Sequence, residues 1–339
     1  MAISVALAQL SEALVTAATG TYTLAMAAYT GEYAFGRRGR IASTTPALVQ
    51  RELAAATGGP GGRSSAQPAP SGRYGPGVVA APGADGGRWW GRAAVSLTVL
   101  AALLHAAAVT IRGAAVDRVP WGNMYEFTLV VGLIAVLAWL ALLVKLPGLR
   151  YLGLFVMLPV LLVMFLAGAL YTQASKLVPA LQSYWLAIHV SSVAVAEGIL
   201  MTSAVLSILY LIRNRYEQRR QLGGDTVGGL GARLPAAATL DKAAYRTAAF
   251  AFPIYTAGVI FGAIWAEAAW GRYWGWDPKE TWAFIAWVIY AMYLHARATA
   301  GWKGHRAAYI NLLGFAAMTF NFFVVNIVIS GLHSYAGLS

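Results

Sequence analysis

Long apolar stretches alternate with short polar or basic segments along most of the chain. Eight of these stretches approach or exceed the roughly 20 residues that a helix needs to cross the hydrocarbon core of a bilayer. They fall at 5–33, 93–111, 127–144, 151–171, 186–212, 247–266, 282–297 and 307–330. The pattern predicts an all-α polytopic membrane protein with about eight transmembrane helices.

The polar segments suggest how the chain is divided. The residues before the first stretch lack the positive charge that begins a secretory signal, so we expect 1–35 to be a retained transmembrane helix. Residues 36–92 are rich in Gly, Pro, Ala, Ser and Arg, which predicts a disordered basic linker. A second Gly-rich stretch, 217–241, is predicted to be unstructured for the same reason. Residues 93–339 then form a seven-helix core.

Composition agrees with this class and excludes some chemistry. Of the 339 residues, 59% are hydrophobic and 11% are charged, against about a quarter charged in soluble domains. The chain contains no cysteine, so it has no disulfide scaffold and no Cys-ligated zinc or iron–sulfur site of its own.

The positions of the basic residues predict the orientation. Only five of the 25 Lys and Arg residues fall on one side of the eight predicted spans, namely Arg112, Arg118, Lys176, Arg272 and Lys279. The side rich in Lys and Arg is expected to be cytoplasmic, so the linker 36–92 lies inside and both termini lie outside. The net charge of +12 is then an orientation signal, and no nucleic-acid partner is predicted.

The most unusual segment is the tryptophan-rich outer loop 266–282, between the sixth and seventh spans. Six of the 12 tryptophans fall in or beside it, at 265, 270, 274, 276, 282 and 287. Tryptophan favours the membrane interface, so an aromatic belt is one interpretation. The other is a rigid plate of indoles that binds a large flat aromatic ligand. Asp277-Pro278 is expected to cap the start of the next helix.

The five histidines divide by their position along the spans. His189 and His333 both fall near the level of the tryptophan loop and could be the two axial ligands of a haem iron, or interfacial histidines bonded to backbone or water. His295 lies inside the seventh span, toward the cytoplasmic side, where an ionisable group is either functional or reaches the interface beside Arg297. His105, in the outer half of the second span, could be a second-layer ligand or a hydrogen-bonded packing histidine, and we favour packing. We expect His305 to be solvated in a basic turn.

Two acidic residues have open interpretations. Glu197 lies two turns below His189 on a similar helix face, where it could orient a buried ligand, relay a proton or make a structural hydrogen bond. Glu126 follows Asn123 at the outer start of the third span, where the helix dipole favours a carboxylate.

These motifs resemble a known family. The pattern Trp270-Gly-x-x-Trp274-x-Trp276-Asp277-x-x-Glu280 resembles the tryptophan-rich WWD signature of the haem-handling proteins of cytochrome c maturation. The length, the eight spans, the order of the histidines and the segment Asn123-Met-Tyr-Glu126 are similar to the CcsA branch, also called ResC, or CcsB in actinobacteria. The resemblance covers roughly 93–335, and residues 1–92 lie outside it.

The resemblance implies two haem sites. It makes His189 and His333 the axial ligands of an outer haem beneath the tryptophan loop, and His295 a ligand of an inner haem. The second ligand of the inner haem would come from a ResB-type membrane partner. The residues expected to act in catalysis or in binding at the loop are Trp270, Gly271, Arg272, Trp274, Trp276, Asp277, Lys279 and Glu280. Arg272 and Lys279 are either partners of the haem propionates or orientation charges.

The resemblance also implies an activity. The protein would carry haem b to its outer site in the bacterial plasma membrane and, as the haem-ligating subunit of a cytochrome c synthase, attach it to the Cys-x-x-Cys-His segment of apocytochrome c. Thiol-reducing pathway proteins would keep the two cysteines reduced. The alternative is a haem exporter that delivers haem without forming the covalent bonds.

Overall fold

The computed structural model describes residues 3–35, 86–177, 181–223, 229–299, 301–329 and 331–332. Within these residues the chain forms nine α-helices and one short 3-10 helix, with no strand. The α-helices are α1 (Val5–Phe35), α2 (Gly86–Val116), α3 (Met124–Lys145), α4 (Gly153–Ala169), α5 (Tyr184–Gln221), α6 (Leu230–Arg233), α7 (Ala237–Trp270), α8 (Pro278–Ala298) and α9 (His305–Ile327). The 3-10 helix, Pro147–Leu152, leads into α4.

Each predicted apolar stretch coincides with one of the long helices. Six segments are long and apolar enough to cross a membrane: Trp89–Val116, Met124–Lys145, Pro147–Ala169, Tyr184–Gln221, Ala237–Trp270 and His305–Ile327. The prediction of an all-α polytopic membrane protein is therefore confirmed. Helices α1 and α8 have 31 and 21 residues but are not among these six, so their crossing of the membrane stays a prediction.

Helix boundaries follow from side chains that satisfy free backbone groups. The Asn123 side chain accepts a hydrogen bond from the backbone N–H of Glu126 and begins α3. Gly271, with φ of 71°, ends α7 in the left-handed conformation that glycine adopts without strain. Asp277 begins α8 in a capping box with Glu280, which confirms the predicted cap.

Two groups of helices build the interior. The larger core cluster joins α1 to α5 around Tyr29, Trp139 and Leu206, and includes the first turns of α7. The smaller one joins α5, α7, α8 and α9 around Tyr255 and Tyr290. Helix α5 contributes to both clusters and packs against α3 on one side and α7 on the other, so it is the central helix of the fold.

The two predicted linkers are partly helical. The prediction of an unstructured stretch over 217–241 is wrong at both ends, because α5 continues to Gln221 and α7 begins at Ala237. Charged groups stabilise this join: Glu217 accepts hydrogen bonds from Arg213 at 2.7 Å and from the backbone N–H of Ala237 at 3.2 Å.

The other linker ends earlier than predicted. Helix α2 begins at Gly86, so 86–92 belong to the helix. Trp90 packs there against Gly31 of α1, where an added Cβ would lie 2.8 Å from the indole ring. The remaining part of that linker, 36–85, lies outside the described residues, and its predicted disorder stays a prediction.

Candidate functional site

A large cavity opens at the end of the bundle that carries the tryptophans. It encloses about 850 Å3 of empty space, its open mouth included, and lies between α3, α5, α7, α8 and α9. Its walls are mostly apolar, with Phe127, Leu186, Val193, Trp265 and Phe322 among them. An apolar lining with a few polar groups such as His189 and Lys279 is typical of a site for a small organic molecule or cofactor.

His189 lies on the wall of this cavity in a fixed orientation. Its Nδ1 is 2.8 Å from the carbonyl oxygen of Gly258, which can only accept a hydrogen bond, so Nδ1 carries the proton. The ring also stacks on Trp265, with the planes 12° apart and the centroids 6.0 Å apart. The remaining nitrogen, Nε2, keeps a free lone pair. A histidine held in this way by its other nitrogen is typical of a metal ligand.

A smaller cavity of about 570 Å3 lies beneath Tyr273 and Trp274 and shares part of its wall with the large one. The residues that line both cavities are His189, Val193, Tyr255, Lys279 and Asn321. His189 therefore lies between the two cavities.

The indoles do not form one flat plate. Trp270 is the last residue of α7 and packs edge-on against Trp265, with the planes 62° apart. The predicted loop 266–282 is shorter in the structure, because α7 extends to Trp270 and α8 begins at Pro278. We keep the name tryptophan loop for the remaining 271–277, in which the planes of Trp274 and Trp276 are 88° apart. The expected plate is wrong, because α7 ends before Trp274 and the loop turns through Trp276, whose φ is 58°. Trp276 is left 66% exposed.

Two carboxylates hold the tryptophan loop in shape. Oε2 of Glu280 accepts hydrogen bonds from the backbone N–H groups of Gly275 and Asp277, at 2.8 and 3.1 Å. Oδ2 of Asp277 accepts from the N–H of Lys279, and its Oδ1 accepts from the N–H of Leu332 at 2.8 Å. Asp277 thus links the start of α8 to the segment that follows α9.

The predicted ligand His333 lies outside the described residues. The backbone N–H of Leu332, the residue before it, donates to Asp277. The chain therefore reaches position 332 directly beside the tryptophan loop.

The two predicted propionate partners differ in position. Lys279 lines both cavities, and its Nζ donates a hydrogen bond to Oδ1 of Asn326 at 2.6 Å. Arg272 lines neither cavity; its guanidinium lies against Gly275, where a Cβ atom would overlap it. Lys279 is therefore the cation that a ligand in the large cavity would meet.

The other histidines lie away from this cavity. His295 is exposed on α8, on the same face as Phe284, Val288 and Met292, which are each more than 40% exposed. Its neighbour Arg297 makes a two-bond ion pair with Asp241. His105 is fully buried, with Nδ1 3.4 Å from the hydroxyl of Tyr22, as a packing residue would be. His305, the first residue of α9, is exposed.

The two acidic residues have different surroundings. Glu126 is fully buried and bonded to Arg112 at 3.0 Å, to Arg118 at 2.7 Å and to the backbone N–H of Gly122. It is a structural ion-pair centre at the cavity mouth. Glu197 is 5% exposed, lines the large cavity, and has no hydrogen bond to any residue that the structure describes.

Sequence reasoning missed several polar residues of the large cavity. Trp121, Tyr255, Asn321 and Asn326 line it without belonging to a motif that the sequence singles out. Two of them could have been found from the sequence. Asn321 and Asn326 are amides in the most apolar part of α9, where a polar side chain is costly and therefore indicates a functional site.

A comparison with known families settles the class of protein. The model of the family described as "Cytochrome C assembly protein" matches residues 121–333, which includes every residue of both cavities. The chain belongs to the cytochrome c assembly protein family. The resemblance seen in the WWD signature is thereby confirmed, and the protein is of the CcsA type.

Curated relatives of this cytochrome c assembly protein agree. It is 35% identical over 303 residues to the cytochrome c biogenesis protein CcsA of Gloeobacter violaceus, an alignment that covers 74% of this chain and 86% of the relative. It is 43% identical over 177 residues to CcsA of Guillardia theta and 42% identical over 163 residues to CcsA of Chlamydomonas reinhardtii. The last two alignments cover 49% and 48% of this chain. They cover 59% and 44% of those relatives, so the chain spans about half of their length.

A solved structure shares the fold of this family member. It is described as "Cytochrome c Heme Lyase CcmF" and superposes with a TM-score of 0.59 at 18% identity. The match covers 100% of this chain and 49% of that one. At this identity the likeness concerns the helical architecture alone.

Proposed function

We propose that this chain carries haem b to the cavity at His189 and, with a partner, attaches it covalently to apocytochrome c. The observation that carries the proposal is the histidine itself. Its Nδ1–H is bonded to Gly258, its ring is stacked on Trp265, and its Nε2 is free beside a cavity of about 850 Å3.

The residues of the cavity fit haem. Apolar walls suit the porphyrin ring, and His189 suits the iron. Lys279 supplies a cation for a propionate, held in place by Asn326. We propose that His333 is the second axial ligand, because Asp277 holds the preceding residue at the tryptophan loop.

The proposed reaction takes place at the tryptophan loop. Two histidine ligands would keep the iron bound until apocytochrome c arrives, and the histidine of its Cys-x-x-Cys-His segment would replace one of them. Each thiol then adds across one vinyl group, with the sulfur bonding to one carbon and the hydrogen to the other. The exposed Trp276 and the neighbouring indoles would position the peptide and the porphyrin edge, so that positioning supplies most of the rate.

The proposed inner site needs a second chain. His295 is exposed on α8, next to an apolar face that includes Val288 and Met292. A ResB-type membrane partner covering this face would bring the second axial ligand. In this proposal the inner site lies toward the cytoplasm, the tryptophan loop faces outward from the bacterial plasma membrane, and thiol-reducing proteins act on apocytochrome c at the outer surface.

Spectra of purified complex test the outer site. We expect His189→Gly and His333→Gly to lose the two-histidine haem spectrum and cytochrome c attachment, and added imidazole to restore both. His305→Gly is the matched control, since His305 is exposed in a turn away from the cavity. Unchanged haem and unchanged attachment in both glycine variants would show that the outer site is elsewhere.

The same experiment separates attachment from delivery. The complex is co-expressed with an apocytochrome c in a host without a maturation system of its own. Covalent cytochrome c supports a synthase, whereas haem binding without any covalent product supports the exporter alternative.

A further inference from the structure

Two N–H groups at the mouth of the large cavity have no acceptor in the described part of the chain. They are Nε1 of Trp121 and Nδ2 of Asn123, both of which are buried. Both residues line the large cavity together with His189 and Lys279. A buried donor without an acceptor is unfavourable, so a pair of them beside one cavity indicates that a ligand supplies the acceptor.

The Asn123 amide has a defined direction. Its Oδ1 accepts a hydrogen bond from the backbone N–H of Glu126 at 2.9 Å, as the cap of α3. The other end of the amide must therefore be Nδ2, which can only donate. Asn123 is 8% exposed and its Nδ2 is buried, so bulk water does not satisfy this donor.

The segment that carries both donors is fixed by Glu126. Oε2 of Glu126 accepts from the backbone N–H of Gly122 at 2.9 Å, between the two donor residues. The same carboxylate pairs with Arg118, which also donates to the carbonyl of Ser175 at 3.1 Å. Close packing also fixes the segment, because a Cβ atom added at Gly122 would lie 2.4 Å from the side chain of Leu177. The two donors are therefore preorganised before a ligand arrives.

We infer that Trp121 and Asn123 form a carboxylate subsite that receives one propionate of haem bound at His189. This inference rests on the proposed function. The propionates are the only groups of haem b that can accept hydrogen bonds once the four pyrrole nitrogens bind iron. A carboxylate has two oxygens, so one oxygen for each donor satisfies both N–H groups.

The subsite complements Lys279. Lys279 lines the cavity as a cation, while Trp121 and Asn123 offer neutral donors. With one propionate at each, haem would have a single orientation in the cavity, and the vinyl groups would take fixed positions relative to the tryptophan loop.

The test compares two ligands that differ only at the propionates, ferric haem and its dimethyl ester. Binding to the purified full chain is measured by titration at equal detergent. We expect the unaltered protein to prefer haem to the ester, and Trp121→Phe to weaken haem binding about tenfold with little change for the ester. Asn123→Asp keeps the oxygen that caps α3 but replaces the donor with an acceptor, so it should weaken haem binding further.

Three outcomes overturn the subsite: no preference for haem over the ester in the unaltered protein, equal effects of Trp121→Phe on both ligands, or no effect of either substitution. Trp185→Phe is the control for loss of an indole, because Trp185 lies near this end of the bundle but lines neither cavity. If Asn123→Asp does not fold, Trp121→Phe alone decides.

Failure of the proposed function is recognised separately. If His189→Gly leaves the haem spectrum unchanged, haem is not bound at His189. If that variant loses the spectrum while Trp121→Phe binds both ligands normally, the iron site stands and the carboxylate subsite does not.

Discussion

The closest packing around the proposed iron ligand is at Gly262. A Cβ atom added there would lie 2.7 Å from Cε1 and 2.8 Å from Nδ1 of His189, nearer than real contacts allow. We expect Gly262→Ala to push the imidazole away from the Gly258 carbonyl and to reduce haem affinity roughly 10- to 100-fold, as loss of a ligand-orienting bond does. The measurement is a haem titration followed by absorbance.

Gly20 provides the control for this substitution. It lies inside α1 with nothing within 4 Å of the position of a Cβ. Gly20→Ala should bind haem normally. Equal haem binding by both alanine variants would contradict the fixed orientation of His189.

Glu126 compensates buried positive charge at the cavity mouth. The side chain of Glu126 is 0% exposed, and that of Arg112 is 1% exposed. Removing one partner of a buried pair typically costs about 3–5 kcal/mol, because the other charge stays buried without compensation. We expect Glu126→Gln to lower the free energy of unfolding by an amount near that range, measured by thermal denaturation in detergent.

An exposed carboxylate is the comparison. Glu267 is exposed near the end of α7, and Glu267→Gln should change stability by less than about 0.5 kcal/mol. A similar small effect of Glu126→Gln would mean that Arg112 and Arg118 are compensated in another way.

At the scale of elements, the start of α8 depends on one oxygen. Oε2 of Glu280 accepts both loop hydrogen bonds, while Oε1 is buried and has no partner in the described residues. Glutamine keeps one accepting oxygen but places an unpaired NH2 group where the buried Oε1 lies, so Glu280→Gln should cost about 1–2 kcal/mol. Glu280→Ala should cost about 2–4 kcal/mol, since two backbone N–H groups lose their acceptor.

Thermal unfolding of the two Glu280 variants measures this difference. Equal destabilisation by Gln and Ala would mean that the negative charge, rather than the accepting oxygen, holds the loop. The alanine variant should also lose haem binding, because the backbone N–H of Gly275 would lose its acceptor and the tryptophan loop would no longer be held in shape.

The helices were predictable where the bilayer dictates them, and less so elsewhere. An apolar run of about 20 residues has few stable alternatives to a membrane helix, so each of the eight long helices was found. The last turns of α5 were not, because Arg213 and Glu217 stabilise them by charge pairing beyond the apolar run. The start of α2 was missed because Trp90 packs against Gly31 of α1, and a contact between residues so far apart in the sequence does not show in the local pattern.

The site was predictable in its chemistry but not in its shape. The types and spacing of the residues singled out His189, Asp277 and Lys279, and all three lie at one end of the bundle, where His189 and Lys279 line the large cavity. Neither the perpendicular indoles nor the donors at Trp121 and Asn123 could be read from the sequence, since both depend on which helices pack together.

At the scale of the whole molecule, the lack of cysteine makes the orientation directly testable. Single-cysteine variants have no background labelling, because the chain has no other thiol. Tyr273 and Trp302 are 61% and 39% exposed, and lie beyond opposite ends of α8. We expect Tyr273→Cys, and not Trp302→Cys, to react with a membrane-impermeant maleimide on intact cells.

Detergent permeabilisation should make Trp302→Cys reactive as well, which shows that the residue is accessible. Labelling of Trp302→Cys alone on intact cells would reverse the proposed orientation. Labelling of both on intact cells would argue against α8 crossing the membrane.

The exposed face of α8 is where the proposed ResB-type partner would bind. Val288 and Met292 are 42% and 47% exposed and precede His295 on the same face. We expect Val288→Trp and Met292→Trp to reduce recovery of the ResB-type partner in co-purification at least fivefold, because bulky rings would separate the two surfaces. Leu158→Trp is the control, since Leu158 is 63% exposed on α4. Normal recovery with both α8 variants would place the partner elsewhere.

The hydrogen bond from the backbone N–H of Leu332 to Asp277 has a consequence for timing. A bond from a neutral N–H to a carboxylate contributes about 1.5–3 kcal/mol, so at equilibrium it is broken in roughly one molecule in ten to one in two hundred. Such local openings take nanoseconds to microseconds, whereas enzymes typically turn over about ten times a second. On its own, this hydrogen bond would therefore open and close many thousands of times in each cycle. Its opening would not limit how fast an arriving histidine replaces the proposed ligand His333.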